Sequence, residues 1–594
     1  MRWQLLSSFL GLVAFARTRS HGQLRPFLTV QVQLWVRELR GLVRRLQPSG
    51  HTFAWRDELD APPNEHYLPL VYCRECGADG LGALVVEGSP KLKGDSRSVG
   101  EAYLRKAEEA RFVQLHEQRE DDNQLRLPER VCPSCLRVAM GEDQCSCQPG
   151  GVLMVPAAVY GDQNDKHRFR ALCPKCGADD ALRILGSRAA SLSSVAVSHL
   201  FHSPFHGSGG AAGTGDERKL LAFTDSVQDA SHRAGFFAGR TYRFNLRTAM
   251  QSTLVQAGGE LPLSDLAPRM LEDWSERLGE ARMVATFMPP DLREHADYVA
   301  YLDAAEGRGT VSAKKRNAVL KVLRERLSWE VTREYGYGVT VGRTLEGTVC
   351  STLVVEDQRM EAATRGLTAY LEEHRLLQRP GGPLEEPEVR HFLEGLVRRL
   401  RMRGGVFHPL LSAYAKTGNR FLLSKRKNPH FSPFGPQSVA PRFLYDGVQH
   451  NVFDTLQAPT NRKTWWRDWT SRSLKCKPQD AGIGLVLEQA FERLAIQGVV
   501  RAVPSGKSRA FGLEPAALRV TSRVQQAHCT VCNSTATLPA AGAAIWEHGP
   551  CNHYQCRKGY YQASPSGPDA GADADRDYYR ALYRSGRVYR IFTG

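Results

Sequence analysis

Lys219-Leu-Leu-Ala-Phe-Thr-Asp-Ser226 is a short apolar run that breaks off in polar residues, and the stretch Gln228 to Gly239 behind it is helical in pattern. A buried strand feeding straight into a helix is the opening of a β-α unit, so this segment predicts an α/β element. Upstream, His206-Gly-Ser-Gly-Gly-Ala-Ala-Gly-Thr-Gly215 has no means of burying a core and reads as a flexible linker. Downstream, Arg243 to about Arg403 is mostly helical in pattern and carries no internal repeat.

Further along, Leu485, Leu487, Phe491, Leu494 and Ile496 mark a helix that Gly498 stops. Two short strands, Val499-Val503 and Arg509-Leu513, then flank the turn Pro504-Ser-Gly-Lys-Ser508, and a helix followed by a basic hairpin is the outline of a winged helix. The wing tip offers Lys507 and Arg509 to backbone phosphates, although a plain solvated hairpin fits as well. Asn461-Arg-Lys-Thr-Trp-Trp-Arg-Asp-Trp469 interleaves basic and aromatic residues. Such a pattern can stack on bases, but tryptophans anchoring a core are the stronger reading. Residues 564–575, rich in Pro, Gly, Ala and Asp, form another linker before Tyr578-Tyr-Arg-Ala-Leu-Tyr583 and a strand-like Arg587-Val-Tyr-Arg-Ile-Phe592.

Towards the N-terminus, Pro26 can open a helix along which Leu28, Val32, Trp35, Leu39, Leu42 and Leu46 form one stripe, with Arg37, Arg40 and Arg44 on a solvated face. A charged helical stretch is expected again over Gly100 to Gln118. Met1-Arg2 and the apolar residues Leu5 to Ala16 have the layout of a secretory signal. The cysteine spacing argues against export, because C-x-x-C suits a metal better than a framework of loop-closing disulfides. The expected location is therefore the cytoplasm.

Twelve of the fourteen cysteines fall in close pairs, and these predict about three structural Zn2+ sites. Zinc takes four soft ligands in a tetrahedron, and each pair supplies two thiolates from one turn. Cys132 and Cys135 are separated from Cys145 and Cys147 by nine residues and form one local site. The outer pairs, Cys73 with Cys76 and Cys173 with Cys176, each precede Gly-Ala-Asp and make a second site that ties together the ends of a cysteine-rich insertion. Cys529, Cys532, Cys551 and Cys556 make the third, with His528, His548 and His553 as alternative nitrogen ligands. Cys350 and Cys476 stand alone and read as buried thiols.

At 594 residues, 42% hydrophobic and 24% charged, the chain is long enough for several folded domains. Its formal charge of +16 favours a polyanionic partner such as nucleic acid or an anionic membrane surface; nucleic acid, with DNA first, is the expected one, and no other stretch approaches a membrane span. No complete active site is written in it. Gly506-Lys507-Ser508 has Arg501 where a phosphate loop needs glycine, and Asp57-Glu58-Leu59-Asp60 lacks the strand that a magnesium-binding acidic motif terminates. No Ser-His-Asp, His-Glu-x-x-His or Gly-x-Ser-x-Gly pattern stands in a convincing context.

The segment from Lys219 to Phe237 resembles the opening strand and helix of the second RecA-like domain in large bacterial DEAD/DEAH-box helicases of superfamily 2. Leu34-Trp-Val-Arg-Glu-Leu-Arg40 is similar to the helix after the first motor domain of that family. Val71-Tyr-Cys-Arg-Glu-Cys-Gly77 and Leu172-Cys-Pro-Lys-Cys-Gly177 are similar to its cysteine-bearing insertion, and Arg343-Thr-Leu-Glu346 and Leu582-Tyr-Arg-Ser-Gly586 add shorter likenesses. The resemblance implies a loop near bound nucleic acid at Thr224, Asp225, Ser226 and Gln228, where capping of the next helix by Asp225 or Ser226 is an equal alternative. The family's Walker A loop, acidic box and arginine finger are missing from the sequence. ATP and Mg2+ are thus expected only in a helicase completed by the missing motor segments or by neighbouring subunits, and no catalytic residue is assigned here.

The expected fold class is a multi-domain α/β and α protein: a partial RecA-like domain with zinc-ribbon-like insertions, a largely helical middle and a winged-helix-like module. A helical segment over 1–70 would follow an absent first motor domain. The cysteine-rich insertion would occupy 71–186, the start of the second motor domain 187–242, a helical insertion 243–480 and the winged-helix-like module 481–525. A zinc module over 526–563 and a return to the motor domain over 564–594 complete the division. The function expected is that of a fragment of an ATP-dependent helicase or translocase, with a non-enzymatic zinc protein that binds nucleic acid or a partner as the alternative.

Overall fold

The computed structural model describes residues 2–20, 22–26, 41–47, 51–73, 79–115, 129–140, 145–147, 155–160, 173, 181–185, 196–198, 227–337, 343–379, 382–424, 426–430, 440–457, 464–531, 534–547, 549–553, 556, 558–563 and 578–589. It is a mixed α/β architecture with several small antiparallel sheets and one large one. The strand expected at 219–226 and the linkers at 206–215 and 564–575 lie outside the described residues.

Helix α1 (Arg2–Phe15) leaves Leu5, Phe9, Leu12 and Phe15 exposed, and a hairpin of β1 (Arg17–Ser20) and β2 (Gln23–Pro26) follows it. No helix among the described residues is long and apolar enough to cross a membrane.

Ten strands then build one antiparallel sheet. These are β3 (Leu42–Arg45), β4 (Phe53–Trp55), β5 (Tyr67–Cys73), β6 (Asp79–Val85), β7 (Leu92–Lys93), β8 (Ala110–Leu115), β9 (Glu129–Val131), β10 (Val138–Met140), β11 (Val155–Tyr160) and β12 (Leu182–Ile184). Their order is β10-β9-β11-β8-β6-β5-β3-β4, with β7 added beside β6 and β12 beside β5. Alternation along β5 sends Leu68 and Leu70 into one apolar cluster and Val71 and Cys73 into another on the opposite face. Helix α2 (Ser96–Arg105), capped by Asp95 accepting the Ser98 amide at 2.8 Å, covers the second cluster with Val99 and Ala102. A Cβ at residue 82 would come within 2.8 Å of Val99, so glycine there is what lets the helix lie on the strand.

Four expectations change here. The helix drawn through Leu46 gives way at Leu42–Arg45 to strand β3, which pairs with both β4 and β5. Arg44 is buried and paired with Asp79 at 3.5 Å instead of lying on a solvated face. The charged helix expected over 100–118 ends at Arg105, and Ala110–Leu115 is a strand in the middle of the sheet, where Phe112 and Val113 are fully buried. The expected division at 70/71 falls inside β5, so the strands before it share the sheet of the cysteine-rich region.

The helical expectation for the middle of the chain is met by α3 (Val227–Gln256), α4 (Leu263–Leu278), α5 (Glu280–Phe287), α6 (Ala296–Ala305), α7 (Ala313–Thr332), α8 (Asp357–His374) and α9 (Glu386–Met402). Their apolar faces converge on one cluster that includes Met250, Leu266, Trp274, Phe287, Leu323, Leu367, Phe392 and Leu396. Buried glutamates inside this body lie beside arginines: Glu334 with Arg247 at 3.0 Å, and Glu346 with both Arg401 and Arg398. Burial of an unpaired charge would be prohibitive, so the pairs fix how α3 and α9 meet the turns that carry the glutamates. Strands β13 (Glu260–Pro262) and β14 (Thr352–Val355) lie at the edge of this body.

After α10 (Ser412–Thr417) come β15 (Leu444–Tyr445), β16 (Asp454–Thr455), α11 (Trp465–Ser473), α12 (Ile483–Ile496), β17 (Val500–Ser505) and β18 (Ser508–Leu513). Helix α12 contains the marker residues Leu485 to Ile496, of which Leu487, Phe491 and Leu494 are buried and Leu485 and Ile496 exposed, and Gly498 follows it at φ +66°. The sheet order is β16-β15-β18-β17, and Ser505 pairs with Ser508 across the two-residue tip Gly506-Lys507. Next, β19 (Leu518–Thr521) runs between β13 and β14. Finally β20 (Val524–Cys529), β21 (Thr535–Pro539), α13 (Ala543–Trp546) and β22 (Tyr561–Ala563) form a small module, and α14 (Tyr578–Arg584) packs on α3. The strand expected from Arg587 is absent over its described residues 587–589, which extend without a sheet partner; Tyr589 instead exchanges backbone hydrogen bonds with the Asn245 side chain.

Candidate metal centres

In the first centre, β9 and β10 form a hairpin whose turn is Cys132-Pro-Ser-Cys135. Leu136 donates its amide to the Cys132 carbonyl at 2.9 Å, and Cys132 donates to Arg137 at 2.9 Å, which curls the turn so that both thiols face one side. Leu136 takes φ +59°, a left-handed conformation that a branched side chain adopts only when its surroundings force it. Cys145 and Cys147 come from the following segment, and the four sulfurs lie within 4.8 Å of one another. Cys132 and Cys147 sulfurs are 3.5 Å apart, and those of Cys135 and Cys145 3.4 Å.

An amide dipole favours negative charge on one of these sulfurs: the Cys147 amide points at the Cys145 sulfur and holds that thiol down to about 7. Burial pushes the Cys135 thiol up, against the Arg137 amide that points at its sulfur. Hydrogen bonding to its neighbour Cys145 pushes Cys147 the other way, to about 12. A second thiolate beside the first is repelled unless a cation lies between them, so the donor set fits a divalent soft metal.

In the second centre, Cys529, Cys551 and Cys556 are all buried and their sulfurs lie within 4.8 Å of one another. The Val531 amide donates to the Cys529 sulfur at 3.4 Å, and the His553 amide to the Cys551 sulfur at 3.3 Å. Thus the amide two residues on faces the sulfur in both centres, a device that favours thiolate over thiol. Gly559 closes the cradle: a Cβ there would collide with the sulfurs of both Cys529 and Cys556. Apolar Leu538, Trp546 and Tyr561 surround the group. Both clusters are sulfur-rich and suited to structural zinc; the second is buried throughout, whereas Cys147 of the first is exposed.

Cys532 and His548 lie outside the described residues, so the described part of the second centre is three cysteines. Of the remaining expected pairs, Cys76 and Cys176 also lie outside them. Cys73 and Cys173, 100 positions apart in sequence, are buried in the same apolar cluster, with Cys73 directly opposite Leu182 across the β5–β12 pair. Cys350 and Cys476 are buried and apart from both clusters.

Residues that hold the second centre from behind were not singled out for this role by the sequence. Arg472 on α11 donates to the carbonyls of Cys551, of Cys556 at 3.3 Å and of His553 at 3.0 Å, while Asp468 orients it at 2.8 Å. The Trp465 indole donates to the Asn552 carbonyl at 2.9 Å. His391 of α9 lies between the carbonyls of Ile545 at 3.0 Å and Pro550 at 3.3 Å, and burial holds its ring down to about 4, so it is neutral and donates to one of them. The tryptophans of 465–469 are therefore core anchors, as their stronger reading has it.

Of the residues expected near nucleic acid, Thr224, Asp225 and Ser226 lie outside the described residues, and Gln228 falls in the first turn of α3. Lys507 is exposed at the hairpin tip. Arg509 bonds to Asp446 at 2.8 Å and Glu492 at 2.7 Å, so its guanidinium is engaged inside the chain.

Comparison with family models, with curated proteins and with solved structures returns no match for this chain.

Proposed function

We propose that this chain is a zinc-stapled, nucleic-acid-binding portion of an ATP-dependent helicase or translocase, with DNA as its polymer. The observation that carries the reading is the arrangement around the hairpin. Strand β15 pairs with β18, β18 pairs with β17, and α11 and α12 come between β15 and β17 in the chain. A winged helix is wired in this order, and the tip Gly506-Lys507 then corresponds to its wing. Glu492 on α12 pairs with Arg509 of β18, so contact with phosphate falls to the wing and to neighbouring basic groups and not to that face of the helix.

In this reading the metal centres are staples. Zinc held by Cys132, Cys135, Cys145 and Cys147, by Cys529, Cys532, Cys551 and Cys556, and by Cys73, Cys76, Cys173 and Cys176 fixes loops that supply too little apolar surface to order themselves. A second reading, a non-enzymatic zinc protein that binds nucleic acid, is favoured by one observation: no phosphate-cradling loop or acidic box occurs in the 594 residues.

The test is zinc stoichiometry combined with oligonucleotide binding across a salt series. About three zinc equivalents and an affinity whose logarithm falls linearly with log salt are expected. A flat salt response would remove the nucleic-acid reading. ATP hydrolysis by the isolated chain is expected to be nil, and hydrolysis gained on adding a separate first motor domain distinguishes helicase part from autonomous binding protein.

A further inference from the structure

Helix α9 ends in Leu-Val-Arg398-Arg399-Leu-Arg401-Met-Arg403, and its arginines divide between two faces. Arg398 and Arg401 turn to buried Glu346. Arg399 and Arg403, one helical turn apart, turn to the other side, where Arg442 joins them by donating its amide to the Arg403 carbonyl at 2.8 Å. A single carboxylate answers these three: one oxygen of Asp454 receives Arg403 and Arg442, each at 3.3 Å. Among the described residues, the only carboxylate paired with Arg403 or Arg442 is Asp454, and Arg399 pairs with none.

The third guanidinium is the telling one. Arg399 lies over the Trp465 ring at 5.1 Å, largely buried, and among the described residues no acceptor meets it. Its Nε is shut off from solvent without a hydrogen bond, and so is the Nε of Arg403. Arginine is favoured near a helix C-terminus by the dipole, but that preference needs no burial and leaves no donor stranded. Burial and the neighbouring Arg403 hold Arg399 down to about 10, so it stays charged at neutral pH. A rigid fork of donors that the protein itself does not use is complementary to a planar or tetrahedral oxyanion.

We propose that Arg399, Arg403 and Arg442 form a binding site for a phosphate group, of the kind a nucleic-acid backbone carries. Asp454 holds Arg403 and Arg442 together, and Arg399, 5.1 Å from the centre of the Trp465 ring, completes the group. The nucleic-acid source of the phosphate rests on the function proposed above; the anion site itself does not. The same Trp465 donates to the carbonyl of Asn552, next to Cys551, so the ring under Arg399 is anchored to the loop of the second cysteine cluster.

The experiment uses the full, zinc-loaded chain with Arg399→Met, which keeps the length that packs on Trp465, and Arg324→Met, an exposed arginine, as the charge control. Thermal unfolding is followed with and without inorganic phosphate at constant ionic strength, and binding of a labelled oligonucleotide is followed by anisotropy across salt. Phosphate is expected to raise the melting temperature of the wild type and the control but not of Arg399→Met. Oligonucleotide affinity of Arg399→Met is expected to fall about tenfold, the order of one charge-assisted contact, with a shallower salt slope. Without ligand its melting temperature is expected to hold or rise, because an unmet buried charge has gone. Phosphate protection dependent on Arg399 with no oligonucleotide binding by the wild type keeps the anion site and overturns the nucleic-acid reading. Equal phosphate responses in wild type and Arg399→Met, or a variant that only loses stability, overturn the site.

Discussion

The indole N–H of Trp465 donates to the backbone carbonyl of Asn552 at 2.9 Å, across 87 residues of sequence, so a helix of the body grips the loop that carries two thiols of the second candidate metal centre. Arg472, two turns further along the same helix, grips three more carbonyls of that loop. The metal loop is thereby held from outside its own module.

Removing either grip should loosen the metal without touching a ligand. Trp465→Phe leaves the Asn552 carbonyl buried and unmet, a loss of roughly 1–3 kcal/mol, and Arg472→Met abandons three acceptors. Release of zinc to a chromogenic chelator is expected to quicken in both variants for one metal equivalent only. Unchanged release kinetics would show that the loop holds itself.

Gly559 is under a different constraint, since its missing Cβ is what admits the sulfurs of Cys529 and Cys556. Gly559→Ala is expected to cost roughly 1–3 kcal/mol by overpacking and to lower bound zinc by one equivalent. Gly100→Ala, at an open position of α2, should instead be neutral or stabilising by about 0.5–1 kcal/mol. Metal analysis together with urea unfolding of the two variants checks the contrast.

His408 gives a pH signature away from the metal centres. It caps Leu410 through Nδ1 at 3.2 Å and stands against Trp329, and burial pulls its ring down to about 4. The folded state thus binds the proton more weakly than the unfolded chain, whose value is near 6.5. Its contribution is fully present above about pH 6.5 and is lost as pH falls through the window down to about 4, by up to roughly 3 kcal/mol. His408→Asn retains a cap acceptor and should flatten the fall in stability between pH 7 and pH 5, measured by denaturant unfolding.

At the hairpin, two neighbouring cations should behave oppositely. Lys507→Ala, exposed at the tip, is expected to weaken oligonucleotide binding severalfold and leave stability unchanged. Arg509→Ala strips Asp446 and Glu492 of their partner and should cost about 1 kcal/mol of stability, with a smaller effect on binding. Paired melting and anisotropy measurements separate the roles.

Features written in local chemistry were legible in the sequence. Spacing alone places Cys132, Cys135, Cys145 and Cys147 together, because two tight turns nine residues apart have few other ways to meet. The apolar period of α12, the glycine behind it and the turn at 504–508 define helix and hairpin without help from elsewhere. Strand β3 was not legible: Leu42 and Leu46 fit a helical stripe, and pairing with Leu68 and Pro69 of β5 decides against it. Nor could the grip of Arg472 and Trp465 be read, since their acceptors are backbone carbonyls some 80 residues away, which no side-chain pattern announces. The unmet donors of Arg399 are visible only once burial is known.

Strand β19 joins β13 and β14, and these have no other partner in their sheet. Their residues emerge from the ribosome at 260–262 and 352–355, but Leu518–Thr521 comes last. Until it arrives, two strand edges stand open on an otherwise helical body, and open edges invite pairing between chains. A chain stopped shortly before residue 518 should therefore aggregate where one stopped shortly after 563 does not, which makes this four-residue strand the point at which synthesis closes the two open edges.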